Sequence, residues 1–340
     1  MNNKNLNIRE ILEQREHEIL CEFASFSDMS KGRDRYEKPC DLRTIYQRDR
    51  DRILHCKAFR RLKQKTQVFL APQGDHYRTR LIHTLEVSQN ARTIAKALRL
   101  NEELTEAIAL GHDLGHTPYG HCGERALNKL CPDGFAHNEQ GVRLVEVLEK
   151  DGEGMNLTFE VRDGIKNHQT ACNPATLEGK IVRLSDKIAY INSDIDDAIR
   201  AHILKEEDIP KEYTDILGHT TRQRLDTIIH DIILNSYGKN TIAMSDEMYK
   251  AFMGLRTYMF ENVYTNTLAK SEEEKATYVI NYLFEYYMKN IDEMPLEFVK
   301  LIENGDSKER AVCDYIACMS DQYATNIFKN LMIPKTWNVM

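Results

Sequence analysis

The chain has 340 residues, 29% of them charged, with 46 Lys and Arg against 53 Asp and Glu for a net charge of −7. It is long enough to bury a large core and too evenly seeded with aliphatics to be disordered, and its acidic balance argues against wholesale coating of nucleic acid. Eight cysteines without a CxxC read as reduced thiols; no run of about eighteen apolar residues exists and Met1–Leu6 has no apolar core, so a cytoplasmic protein without membrane contact is expected.

Apolar residues recur at helical spacing from the first segment, Ile8, Ile11, Leu12, Ile19, Leu20 and Phe23, onward. Between Arg43 and Lys65 come nine Lys or Arg and only Asp49 and Asp51, a stretch that reads either as a solvated helix face of Asp/Arg pairs or as a polyphosphate site. Thr66–Leu70 is the best candidate strand, and it is short. Asn101 stands as an N-cap before Glu-Glu-Leu, and Ser271-Glu-Glu-Glu274 has capping-box spacing. Breaks are expected at Pro72–Asp75, Pro118–Gly123, Cys131–Gly134, Asp151–Gly154 and Asn173–Pro174. Ile181, Leu184, Ile188, Ile191, Ile195 and Ile199 mark a long central helix. The pattern predicts an all-α protein of about a dozen helices, with an N-terminal segment (1–42), a catalytic core (43–204) and a helical C-terminal region packed on it (205–340).

Gly111–Glu124 concentrates His112, Asp113, His116, His121 and Glu124 in fourteen residues. On a helix His112 and Asp113 diverge by roughly 100°, so one cation held by both needs other elements to complete its shell. His83 and Asp186, each a polar interruption of an apolar helix face, are the candidates. Two imidazoles and two carboxylates form a mixed N/O set suited to Mn, Fe, Co, Ni, Zn or, less comfortably, Mg. His116, four residues after His112, shares its face for as long as the helix lasts, and His121 and Glu124 have i, i+3 spacing. That pair suits proton transfer, or else braces a loop. His230-Asp231 repeats the dipeptide between apolar residues and reads as a helix-surface or capping pair.

The order H…HD…D is the pattern of the HD superfamily of metal-dependent phosphohydrolases. Gln47-Arg-Asp-Arg-Asp-Arg-Ile-Leu-His55, Ala58–Phe69, His83–Val87, the HDLGHTPYGH block, His137-Asn-Glu-Gln140 and Asp186–Ala198 together make the chain resemble the dGTPase, or deoxynucleoside triphosphate triphosphohydrolase, family. The resemblance spans roughly residues 43–204. It implies an HD-domain helical bundle with additional C-terminal helices and one divalent metal ion on His83, His112, Asp113 and Asp186. It further implies a catalytic centre lined by His116, His121, Glu124 and His137. Lys187 would contact phosphate, Tyr190 would pack against the sugar, and Asp194 with Gln67 would meet the 3′-hydroxyl. Arg80 and Arg60 or Arg61 would clamp the triphosphate through forked guanidinium hydrogen bonds.

No GxxxxGK[ST], HExxH, PCxxC or GxGxxG occurs, which removes support for P-loop, zincin, deaminase and Rossmann chemistry. The resulting expectation is metal-dependent hydrolysis of a deoxynucleoside triphosphate, dGTP among them, to a deoxynucleoside and inorganic triphosphate. Its rivals are hydrolysis of another nucleotide by the same fold, and a regulator that binds nucleotide or single strands without turnover. A homo-oligomer is expected, and a nucleotide effector or single-stranded DNA are further candidate partners.

Overall fold

Sixteen α-helices and no strand make up the described residues, 7–67, 78–264 and 267–334, of the computed structural model. They run as α1 (Ile8–Ile19), α2 (Ile45–His55), α3 (Lys57–Arg61), α4 (Arg80–Ala97), α5 (Glu102–Gly111), α6 (Gly120–Leu130), α7 (His137–Arg143), α8 (Phe159–Lys166), α9 (Leu177–Arg200), α10 (Lys211–Leu217), α11 (Thr221–Ser236), α12 (Asp246–Met259), α13 (Thr267–Lys289), α14 (Leu296–Glu303), α15 (Lys308–Ala317) and α16 (Asp321–Met332). Local chemistry explains many of the starts. Asn101 accepts from the amides of Glu103 and Leu104, both at 3.1 Å, as its sequence position predicts. Thr44 and Gln47 close a reciprocal capping box on α2 that spacing alone did not draw out.

The expected all-α architecture is what forms. Its axis is α9, whose 24 residues extend about 36 Å. Along it lies α4, and α5 packs in turn against α4 and α2. Ile53, Val87, Ile94, Leu104, Ile108, Ile181, Ile188 and Ile195 are fully buried where these helices meet, so the isoleucine period of α9 is the seam of the first core. A second core joins α6 to the chain's last helices through Leu127, Phe135, Ile280, Leu283, Val312 and Ile316. Among the described residues no helix is long and apolar enough to cross a membrane.

Three local expectations come out differently. The candidate strand at Thr66 reduces to a single bridge from Thr66 to Thr79, and Val68–Leu70, like the break at Pro72–Asp75, lie outside the described residues. Ser271 falls inside α13, which already runs from Thr267; Leu268, Ala269 and Lys270 are strong helix formers and carry the helix past the capping pattern. Last, α5 ends at Gly111, so His112–Gly115 form tight turns and His116 does not share a helical face with His112.

Backbone contact dictates that early ending. A Cβ on Gly115 would stand 2.1 Å from the carbonyl oxygen of His137 and 2.2 Å from the amide nitrogen of Gly141, so this turn and α7 meet main chain to main chain. Gly115→Ala is therefore expected to cost about 2–4 kcal/mol, read as a lowered urea midpoint at unchanged slope. An unchanged midpoint would mean that α7 can withdraw from the turn.

Candidate active site

His83 comes from the first turns of α4, His112 and Asp113 from the turn after α5, and Asp186 from the middle of α9, so the seam of the first core brings the four together. His83 Nε2 lies 3.0 Å from Asp186 Oδ1. His112 Nε2 is 3.5 Å from Asp113 Oδ1 and 3.8 Å from Asp186 Oδ1. The Nδ1–H of His112 donates to the Ala109 carbonyl at 2.6 Å, which leaves the Nε2 lone pair facing both carboxylates. That nitrogen is buried and has no hydrogen-bond partner, and two carboxylates converge on the same point. Buried acceptors facing acceptors are unstable without a cation between them, so the donor set fits a divalent metal ion, as HD domains hold.

Electrostatics at the quartet follow from this crowding. Burial works against the Asp186 carboxylate, but the His83 hydrogen bond and the neighbouring imidazoles bring it down to about 2. Burial also opposes a charged His83, and the Asp186 hydrogen bond with the Asp113 charge outweighs it, raising that imidazole. Asp113 is held well below the usual carboxylate range, against its burial, by His112, His116 and Arg80. Arg80, only 2% exposed, donates through Nη1 to Asp113 Oδ2 at 3.0 Å and through Nη2 to the Gln67 carbonyl at 3.4 Å. Arg80 does not pair with Glu86 of the same helix, which is taken by Arg78 and Ser193.

Beside the quartet stand the other histidines. His116 donates toward Asp113 Oδ1 at 3.2 Å and stacks on His137, ring centres 3.9 Å apart. Burial, then the Arg80 and His137 charges, push His116 well below the ordinary histidine range. Glu124 joins two imidazoles, taking His121 Nδ1 on one oxygen at 2.9 Å and His137 Nδ1 on the other at 2.8 Å. It is driven far down by those hydrogen bonds in spite of burial. His121 is exposed, and its Nδ1 is held by Glu124.

One residue of this group escaped the reading of motifs. His168, buried after α8, donates Nδ1–H to the Ile165 carbonyl at 2.7 Å and presents Nε2 to His137 Nε2 at 3.1 Å. Burial lowers His168 to about 4, so it is neutral and its Nε2 accepts. His137, with Nδ1 on Glu124, turns its Nε2 to that of His168. A single histidine after Gly164-Ile-Lys-Asn offered no spacing signal.

Along α9, Lys187 and Tyr190 follow Asp186, and Asp194 is nearly fully buried a turn beyond Tyr190. Burial and then the neighbouring Arg183 lower Lys187 to about 8. Arg256 of α12, also absent from the sequence reading, donates through Nε to the Tyr190 hydroxyl at 2.7 Å. Gln67 turns its carbonyl to Arg80. Arg60 and Arg61 do not join this group. Arg60 is exposed and lines a separate cleft of about 460 Å³ with Arg43, Arg52, His55 and Lys57; Arg61 points to Glu149 at 3.8 Å. Much of the basic run is paired, as in Arg48 and Arg52 with Glu37 and Arg50 with Glu103.

Two family models match the chain: the HD domain over residues 80–191, which contains the quartet, and the phosphohydrolase-associated domain over 242–330. A deoxyguanosinetriphosphate triphosphohydrolase-like protein of Caldanaerobacter subterraneus subsp. tengcongensis is 58% identical over 332 residues, 98% of each chain. One of Clostridium perfringens is 50% identical over 97% of this chain and 99% of its own. One of Syntrophus aciditrophicus is 37% identical over 96% and 97%. The chain therefore belongs to the deoxyguanosinetriphosphate triphosphohydrolase-like family of HD-domain phosphohydrolases.

Proposed function

We propose that this protein hydrolyses deoxynucleoside triphosphates, dGTP among them, at the bond between the α-phosphorus and the 5′-oxygen, releasing a deoxynucleoside and inorganic triphosphate. The observation that carries the reading is one juxtaposition. His83, His112, Asp113 and Asp186 converge beside the His116–His137–Glu124–His121 group, which Asp113 meets through His116, and Asp186 is followed on α9 by Lys187, Tyr190 and Asp194.

A divalent ion on His83, His112, Asp113 and Asp186 would neutralise phosphoryl charge and lower the pKa of water there. Arg80 fixes Asp113 for that task. Lys187 and Arg256 supply positive charge toward the phosphates. Because Glu124 holds its Nδ1, His121 presents a tautomerically fixed Nε2 that can exchange a proton with the attacking water or with the departing 5′-oxygen. The deeper His137 is held by Glu124 and stacked on His116, which fixes the ring positions beside the metal ligands. Arg60's basic cleft offers room for a second anionic ligand, a nucleotide effector included, and the homo-oligomer expected of the family remains part of this proposal.

Incubating purified protein with each deoxynucleoside triphosphate and several divalent ions, and resolving products by anion exchange, tests the reading. Intact triphosphate is expected; only diphosphate or monophosphate would sink it.

The sugar supplies a separate prediction. Tyr190 is one turn beyond Asp186 and its ring is held by Arg256, so a sugar seated there has C2′ against the ring. Tyr190→Ala is expected to narrow the preference for dGTP over GTP, and Asp194→Ala to raise KM by an amount equivalent to about 1–3 kcal/mol for a lost 3′-hydroxyl partner. Comparison of kcat/KM for dGTP and GTP decides it, and equal hydrolysis of both by the unaltered protein would overturn the sugar model.

A further inference from the structure

The loop Gly115–Gly120 carries His116 and aims α6, with His121 and Glu124, at the site. Tyr119 within it has a φ of +62°, a left-handed conformation that a bulky side chain adopts only where its surroundings hold it. What holds it comes from the far end of the chain. Asp321, in the first turn of α16, accepts the Tyr119 amide on Oδ1 at 3.0 Å. Its Oδ2 accepts the Thr66 amide at 2.9 Å and the Thr66 hydroxyl as well. The Tyr119 hydroxyl adds a contact of 2.8 Å to Thr325 of the same helix.

A second strut runs parallel. Lys65, next to Thr66 and 2% exposed, puts its ammonium between the carbonyl oxygen of His116 and that of Ala317, the latter at 2.9 Å. The Lys65 carbonyl in turn receives the Arg80 amide at 3.0 Å. Two side chains thus tie the last two helices to the segment before α4 and to the catalytic loop at once.

We infer that Asp321 is a positioning residue for the active-site loop, and that with Lys65 it makes helices α15 and α16 part of the catalytic apparatus. The inference rests on the reading of His116, His121 and Glu124 as proton-handling groups. The chemistry demands a carboxylate. Donors approach both oxygens, so an amide of the same shape would turn an N–H toward an N–H on one side and release either Tyr119 or Thr66.

The test compares the full-length, Mn²⁺-loaded protein with Asp321→Asn and Asp321→Glu. For Asp321→Asn, kcat on dGTP should fall about 10- to 100-fold with KM within about threefold, because a misplaced catalytic group loses rate more than affinity. Metal content and melting temperature should stay close to those of the unaltered protein. Amide exchange across Leu114–His121 should quicken about tenfold or more while that of α9 is unchanged. Asp321→Glu, which keeps both oxygens, should recover most of kcat and of the protection.

Unaltered kcat with unaltered exchange in Asp321→Asn would overturn the inference, and so would faster exchange spread equally over α9, which marks general loosening. If Asp321→Asn does not fold, Thr66→Val, which removes one of the three donors, should show a smaller loss of kcat at constant KM; no loss there counts against the clamp. A protein that releases triphosphate from no deoxynucleotide refutes the substrate reading instead, and the exchange comparison still decides the clamp.

Discussion

Asp186→Ala and Asp113→Ala are each expected to lose bound metal and turnover together, because each deletes one of two anionic ligands from a four-residue set. The two differ in what they leave behind. Asp186 faces His83, an imidazole that can be neutral without that carboxylate, so the fold should survive. Asp113 faces Arg80, whose guanidinium is buried and cannot be neutralised. Removing only one partner of such a pair costs about 3–5 kcal/mol, so Asp113→Asn, which keeps an oxygen and the volume, is the better-behaved companion. Asp231→Ala is the control. Asp231 accepts the Ser245 amide at 2.8 Å and the Asn235 amide group at 3.1 Å, a local brace between α11 and α12. Its loss should leave metal and turnover intact at a stability cost of about 1–2 kcal/mol. Elemental analysis checks the set; full metal occupancy in both Asp113→Ala and Asp186→Ala would falsify the quartet.

The convergence of His83, His112, Asp113 and Asp186 was legible because His83 and Asp186 interrupt apolar periods that a helical reading detects, and because His112 and Asp113 are adjacent in a dense motif. The seam of α9 was legible for the same reason: Ile181, Ile188, Ile191 and Ile195 recur at helical spacing and all are buried, with Leu184 partly buried beside them. Periodicity names a face and not its occupant. Lys65 sits in a basic run that composition reads as solvent-facing, yet its ammonium is buried on carbonyls 51 and 252 residues away. Asp321 binds Thr66 across 255 residues, and nothing near Asp321 announces it. His168 and Arg256 were missed for the same reason, their partners being distant and their local sequence ordinary. The shared helical face of His112 and His116 failed on a close approach of main chain that only the packed structure contains: Gly115 against His137 and Gly141.

Loss of the His121–Glu124 pair is expected to lower kcat by about 10²–10⁴ with metal content unchanged, the range for removal of a general acid or base or of the group that orients it. The two positions should not behave alike. His121→Ala removes an exposed ring and leaves Glu124 its two bonds from His137, so its effect should fall on kcat and stability should largely hold. Glu124 is the acceptor for His121, for the His137 ring and for the His137 amide at 2.8 Å. Glu124→Ala therefore frees His121 to rotate and leaves the buried His137 ring and amide without their acceptor, which should reduce both kcat and the melting temperature. Glu124→Gln divides these effects. Its single carbonyl oxygen can serve one imidazole while its NH₂ opposes the other, so it should restore stability more than rate. Single-turnover rates on dGTP, taken with melting curves and metal content for the three variants, read the outcome. Wild-type turnover in His121→Ala would reassign the pair to bracing the turn after Gly120, and the proton would then have to be carried by His116 or by His137.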